Sequence, residues 1–330
     1  MIRRYVYLLI VTLVILSPLF GQEEYVRFRR ITINEGLSLS SVYNIYQDSK
    51  GFMWFGTEDG LNKYDGQTIT VYGATTDQHN VLANKWIELV YEDKSGMIWL
   101  GSRGGLTKFN PRRGSFTILK HDPGSEASLS NDTVTAIMAD LRNDILVGTF
   151  RGLNRVDRYT NEVERIIPEE EELSGLKERI TGILQDRSGD LWISSEKGLF
   201  SYDWNTRFFF NETAGGILDN NTKINTMVQG EESLWLGTDR GIIEIDLSGN
   251  NSHRLYTTNF GNPEISVTSL LVDRNEMVWI VTQDGLYFFN PEEDLLQKIL
   301  TTRGTTHSLA LNPVESLIKD QKGNIWFGSF

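Results

Sequence analysis

The chain has 330 residues, a formal net charge of −12 and no cysteine. Disulfides, thiolate metal sites and cysteine nucleophiles are thereby excluded. The acidic balance argues against nucleic acid or an anionic membrane surface as the main partner, because phosphate binding needs a basic patch. Aromatics at 11 % and 30 glycines point to a β-rich fold with many turns.

The N-terminus comes first. Arg3 and Arg4 precede an apolar run from Tyr5 to Leu16, Ser17-Pro18 breaks it, and Gly21-Gln22 follows. This is the plan of a secretory signal peptide over residues 1–21, cut after Gly21, although Leu19 fits the usual small-residue position poorly. The run is short of the ~20 residues that span a membrane. Residues 22–330 are then the exported domain. Within it, Tyr25–Ile33 reads as a strand, because it precedes a Leu39-Ser40 linker as later outer strands precede theirs.

From Val42 onward the chain repeats. Similar segments start at Val42, Ile87, Val134, Ile180, Ile224, Val267 and Val314. Each opens with an alternating apolar stretch such as VYNIYQD or ITGILQD and then turns into a strand with a large anchor. The anchors are Trp54, Trp99, Leu146, Trp192, Trp235, Trp279 and Trp326, spaced 43 to 47 residues apart. Turns of the form DSKG at 48–51 suit type I geometry with glycine last. A second turn ends in Gly, as EDGL at 58–61 and RGGL at 103–106, and third and fourth strands complete the unit. Four short antiparallel strands at this period predict an all-β, seven-bladed β-propeller of four-stranded blades, the last incomplete at Phe330. Tyr25–Ile33 is then the outer strand of that ring-closing blade, and the ring is left incompletely closed for want of a third strand. Strand-period alternation and the lack of a helical stripe exclude an α-solenoid. The anchors read as core between blades. Trp86 and Trp204, off the repeat position, are the better surface candidates for stacking on a sugar. The run Glu169–Glu172 reads as a solvated loop.

The repeats resemble the two-component regulator propeller repeat, most fully as IYQDSKGFMWFGTEDGLNKYD at 45–65 and VYEDKSGMIWLGSRGGLTKFN at 90–110, with HDPGSEASLSNDTV at 121–134 as a typical linker. Leu146 and Asn143 in repeat three, GEES at 230–233 in repeat five and Val281 in repeat six depart from the pattern. The resemblance implies the periplasmic sensor part of a sensor histidine kinase or hybrid two-component system, many of which respond to carbohydrates. It also implies further C-terminal parts, among them a transmembrane helix and a kinase, and a homodimeric full-length receptor. The chain reads as a fragment of such a protein. A free-standing periplasmic binding or scaffold propeller is the alternative, and a propeller glycosidase or lyase a third.

Catalytic constellations are not evident. His79, His121 and His307 fall in loops between repeats and His253 elsewhere, without metal-ligand spacing. The recurrent Asp48, Asp93, Asp186, Asp273 and Asp320 have a turn role. No G-x-S-x-G elbow occurs, and no cofactor or metal is called for. The expected ligand is a small molecule or oligosaccharide. Its expected site is the face where second-to-third-strand turns emerge, carrying Glu58, Asp59, Arg103, Arg151, Glu196, Lys197, Asp239, Arg240, Gln283 and Asp284. Arg103, Arg151 and Arg240 suit a carboxylate or sugar hydroxyls. Arg103 leads, on a two-glycine turn read as open.

Overall fold

Alternating apolar residues and closely spaced turns fold locally into antiparallel sheets. The computed structural model describes residues 29–73, 82–203, 208–212, 218, 222–248, 253–256, 265–299 and 314–329. Ile31–Leu300 and Ala310–Phe330 form one compact unit; a second groups Met1–Arg30 with Thr301–Leu309, and of it only Arg29 and Arg30 are among the described residues. The expected signal peptide, His79, Trp204 and His307 lie outside the described residues.

Among the described residues six four-stranded sheets and one two-stranded sheet form in sequence order, each four-stranded one ordered first to fourth strand. The first blade runs Val42–Gln47, Met53–Thr57, Gly60–Tyr64 and Ile69–Tyr72. The expected seven four-stranded blades are therefore corrected to six, followed by Val314–Lys319 paired with Ile325–Ser329 alone. The segment assigned to the outer strand of the last blade behaves differently where it is described. Arg29–Thr32 carry no strand and Ile33–Glu35 form a 3-10 turn. The reason is local: Thr32 and Glu35 make a capping box, with Asn34 N–H donating to Thr32 Oγ1 at 3.2 Å and Thr32 N–H to Glu35 Oε2 at 2.6 Å.

The first strands of the seven sheets touch their neighbours in a closed cycle, so they line the centre of the unit. The expected open ring is not seen: the two-stranded sheet meets the first blade through its innermost strands. Gln321 N–H donates to Gln47 Oε1 at 2.7 Å across that junction, as Ser49 N–H donates to Glu92 Oε2 at 2.6 Å between the first two blades. Gly328 answers to the same closure, since a Cβ there would lie 2.6 Å from the Val42 carbonyl oxygen. Gly56 stands in the same relation to Ile87 of the next blade, again at 2.6 Å.

The turn aspartates do more than shape turns. Asp48 accepts the Trp54 indole N–H at 2.9 Å, Asp93 that of Trp99 at 2.9 Å, Asp186 that of Trp192 at 2.8 Å and Asp320 that of Trp326 at 2.9 Å. Each clamp satisfies a donor that burial would otherwise strand. Where Leu146 replaces tryptophan, Arg155 takes over: its Nη2 donates to the buried Asp140 carboxylate at 2.8 Å. Asn143 and Glu276 occupy the turn glycine position at φ 66 and φ 57, within the left-handed region.

Linkers between blades are pinned from the third strands. Ser38 N–H donates to Asn62 Oδ1 at 2.8 Å, and Ser130 N–H to Asn154 Oδ1 at 2.9 Å. The buried linker leucine before the first blade is thus Leu37, not Leu39. Within the acidic run a 3-10 helix begins, Glu171–Lys177, which buries Leu173 and Leu176, so the run leads into a helix rather than a wholly solvated loop.

Candidate functional site

Antiparallel strand order places the second-to-third-strand turns and the linkers between blades on one face, and the remaining turns on the other. The turns on the first face are braced alike. Thr57 Oγ1 donates to the Gly60 carbonyl at 3.0 Å and accepts the Asp59 N–H at 3.2 Å, and Thr149, Thr238 and Thr282 repeat the pattern. The turn backbone also holds the linker. Gly60 N–H reaches the Lys85 carbonyl at 2.9 Å and Glu196 N–H the Arg179 carbonyl at 3.0 Å. Side chains at the turn tips are thus carried on a fixed frame.

At the same end, each first strand carries a β-bulge that leaves its second residue unpaired in the ladder. Those residues are Tyr43, Glu88, Thr135, Thr181, Asn225, Thr268 and Glu315, one per sheet around the centre. Bulges re-aim side chains next to functional sites. Here they gather one cluster. The Tyr43 hydroxyl donates to Glu58, its ring lies 5.2 Å from Trp86, and Arg103 stacks over Trp86 at 4.3 Å. Arg103 Nε and Nη2 both reach Glu88 Oε1 at 3.0 Å. Burial, the bond to Glu58, and the charges of Glu58, Glu315 and Glu88 raise the Tyr43 hydroxyl above its ordinary value. Burial also raises the Glu315 carboxyl.

Three buried polar atoms without a hydrogen-bond partner lie on this face: Trp86 Nε1, Thr135 Oγ1 and Arg179 Nε. Only two other such atoms, on Arg155 and Ser316, occur among the described side chains. Buried polar atoms are normally satisfied, so these three stand out.

The residues singled out from sequence fall into two groups. Around the first two blades, Glu58 and Arg103 join the cluster, and Asp59 pairs with Lys85 at 3.2 Å. Further round, Glu196 meets Arg179 at 3.4 Å and Lys223 at 4.0 Å, while Asp239 Oδ1 accepts the Lys223 N–H at 3.2 Å. Arg151, Lys197, Arg240, Gln283 and Asp284 sit exposed at their own turn tips. The Arg103 turn is not open: a Cβ on Gly104 would lie 2.7 Å from the Ala83 carbonyl oxygen. Tyr43, Glu88, Glu315 and Arg179 were missed in the sequence. Their one signal is a repeat position whose residue type varies while its neighbours hold, and the bulge that exploits it leaves no mark on composition. Among the described residues no group of three or more His, Asp or Glu is placed to hold a metal ion, and none of their helices is long and apolar enough to cross a membrane.

Comparison with known proteins follows the same line. The family model for the two component regulator propeller matches residues 36–59, 174–197 and 308–330. Histidine kinase P4 of Formosa agariphila is 53 % identical over 45 residues, which is 14 % of this chain and 3 % of that protein. The extracellular domain of a hybrid two component system from B. thetaiotaomicron superposes with a TM-score of 0.74 at 23 % identity, over 91 % of this chain and 40 % of that one. A streptogramin B lyase superposes with a TM-score of 0.64 at 14 % identity, over 89 % of this chain and 93 % of that one. At such identities the superpositions speak for the propeller fold alone, and the chain spans less than half of its two-component relatives. The family's repeat is matched three times along a chain that folds as blade after blade, so the chain carries two component regulator propeller repeats.

Proposed function

We propose that this chain is the exported sensor propeller of a two-component receptor of the histidine kinase type, and that it recognises an oligosaccharide at the bulge-lined mouth of the central ring. Residues 1–21 direct export, the propeller faces the periplasm, and phosphotransfer is the task of other modules of a homodimeric receptor. The observation that carries the reading is the Tyr43–Trp86–Arg103–Glu88 cluster. Aromatic faces take the apolar side of a sugar ring, while carboxylates and a guanidinium bond its hydroxyls in the plane. The matched two component regulator propeller repeats support the signalling role, and the fixed turn frame supports recognition without a large backbone rearrangement.

Titration calorimetry of the soluble chain with an oligosaccharide panel tests it. Binding is expected for at least one member, weakened tenfold or more by Tyr43→Ala or Arg103→Ala. Lys50→Ala and Lys94→Ala, on the opposite face, leave it unchanged. Binding lost in the lysine variants and kept in the other two places the site on the other face and overturns the proposal.

A further inference from the structure

The opposite face carries a different feature. Between the second and third blades lies a cleft of about 330 Å³ whose lining includes Lys108, Arg113, Arg158, Tyr159, Ser95 and Thr117. Lys108 comes from a third strand, Arg113 from the turn that follows it, and Arg158 and Tyr159 from the equivalent turn of the next blade.

Three properties set it apart. First, the chain has 44 acidic against 32 basic residues, yet the charged side chains lining this cleft are all cations. Second, none of the three forms an ion pair within 4.0 Å among the described residues, whereas Arg155 beside them is paired with Asp140. Third, two of the three do not belong to the repeat. The position after the Asp or Asn that closes the third strand is Arg158 in the third blade, but Gly66, Pro111, Trp204, Leu247 and Pro291 elsewhere. Arg113 corresponds to Thr68, Thr160 and Glu293. Lys108 is the repeat's own contribution: it faces Trp99 across the sheet as Lys63 faces Trp54 and Arg155 faces Leu146 in the adjoining blades. Positions that build blades recur. Arg113 and Arg158 do not, so the fold does not account for that pair.

The cations are also oriented. The Lys108 ammonium donates to the Arg158 carbonyl and to Asn161 Oδ1 at 3.1 Å, and it sits 5.2 Å from the Trp99 ring. Arg158 stacks on Tyr159 at 4.3 Å, and that ring is 73 % exposed. Partial burial lowers the Lys108 pKa, as does the charge of Arg158, while the charges of Asp93 and Asp157 oppose the change. We infer that this cleft is a second binding site, for a small organic anion whose carboxylate or sulfate lies among Lys108, Arg113 and Arg158 while its body rests on Tyr159. Such an anion takes charge-assisted bonds from guanidinium groups at close range.

The test uses the soluble chain, with glucuronate, glucose and sodium sulfate as probes at constant ionic strength, followed by calorimetry and amide chemical shifts. Glucuronate is expected to bind and glucose not to, with shifts centred on residues 108–117 and 158–161. Arg158→Gln and Arg113→Ala, each checked for an unchanged melting temperature, are expected to weaken binding tenfold or more. Arg187→Ala, in an exposed turn of the fourth blade, leaves it unchanged. Binding of sulfate without glucuronate keeps the anion site and identifies an inorganic anion as its occupant. Failure of both anions, or equal affinity in both cleft variants, overturns the inference. Because the probes and variants differ from those at the ring mouth, either site can fail alone.

Discussion

Trp54 and Trp279 hold the same repeat position, and each donates its indole N–H to the aspartate six residues before it, at 2.9 and 3.3 Å. Their surroundings differ. Trp54 is fully buried, with Phe109 of the next blade's third strand 6.2 Å away edge-on and Tyr72 at 5.8 Å. Trp235 likewise meets Phe289 of the blade after it at 5.9 Å. Trp279 faces a sheet of two strands, so among the described residues no third strand covers it, and it is partly exposed. Trp326, inside that sheet, is partly exposed too, with Tyr64 of the first blade at 6.3 Å. The aspartate clamp is local and forms regardless. Burial of the anchor is a property of the neighbour. The expectation that all six repeat tryptophans are nearly buried therefore holds for Trp54, Trp99, Trp192 and Trp235 and not for the other two.

The largest expected effect separates these two cases. Trp99→Ala should destabilise by about 3–5 kcal/mol, as truncation of a fully buried aromatic does. Trp279→Ala should destabilise by about 1–2 kcal/mol less, since part of its surface already meets solvent. Urea denaturation of both variants checks this, and equal losses would break the comparison.

A smaller effect tests whether the clamp is local. Arg155→Ala leaves the Asp140 carboxylate, whose side chain is 0 % exposed, without its cation, and a loss of about 3 kcal/mol is expected. Adding Leu146→Trp to that variant offers an indole N–H from the position that serves in five other sheets. Partial recovery of stability supports interchangeable donors; further loss shows that the third blade has repacked around leucine.

The smallest effect concerns turns that face solvent. Asp65 is held down to about 2, chiefly by the Thr68 N–H, then by the Thr68 hydroxyl and the Gln67 N–H. An unfolded aspartate titrates near 3.9, so the stabilisation is fully present above that value and is lost as pH falls through about 2. In the clamp turn of the second blade, burial pushes Asp93 up, but bonds from Ser95, Trp99 and Met97 outweigh it and leave it low. Asp144 moves the other way, raised by burial and by Asp140. Carboxyl carbon shifts followed against pH should place Asp65 and Asp93 below 3.9 and Asp144 above it. A reversed order of Asp93 and Asp144 would show that the third blade's arginine, not its turn, governs its carboxylates.

Much of this was legible in the chain itself. A strand-period pattern returning every 43 to 47 residues determines antiparallel four-stranded units, because alternation fixes which face of a strand is apolar and the turn residues fix where it reverses. The DSKG and EDGL steps name the turns, and the anchors name the core. The turn tips Glu58 and Arg103 were also reachable, since polar residues on tight turns have nowhere to go but outward. Contacts between blades were not reachable, because they join residues some 45 positions apart whose partner depends on how the ring closes. Closure by two strands, the exposure of Trp279, the cluster of Tyr43 with Trp86 and Arg103, and the meeting of Lys108 with Arg158 all belong to that class. The bulge behind Tyr43 belongs there too: an extra residue in a ladder is defined by its partner strand, and one strand's sequence does not contain it.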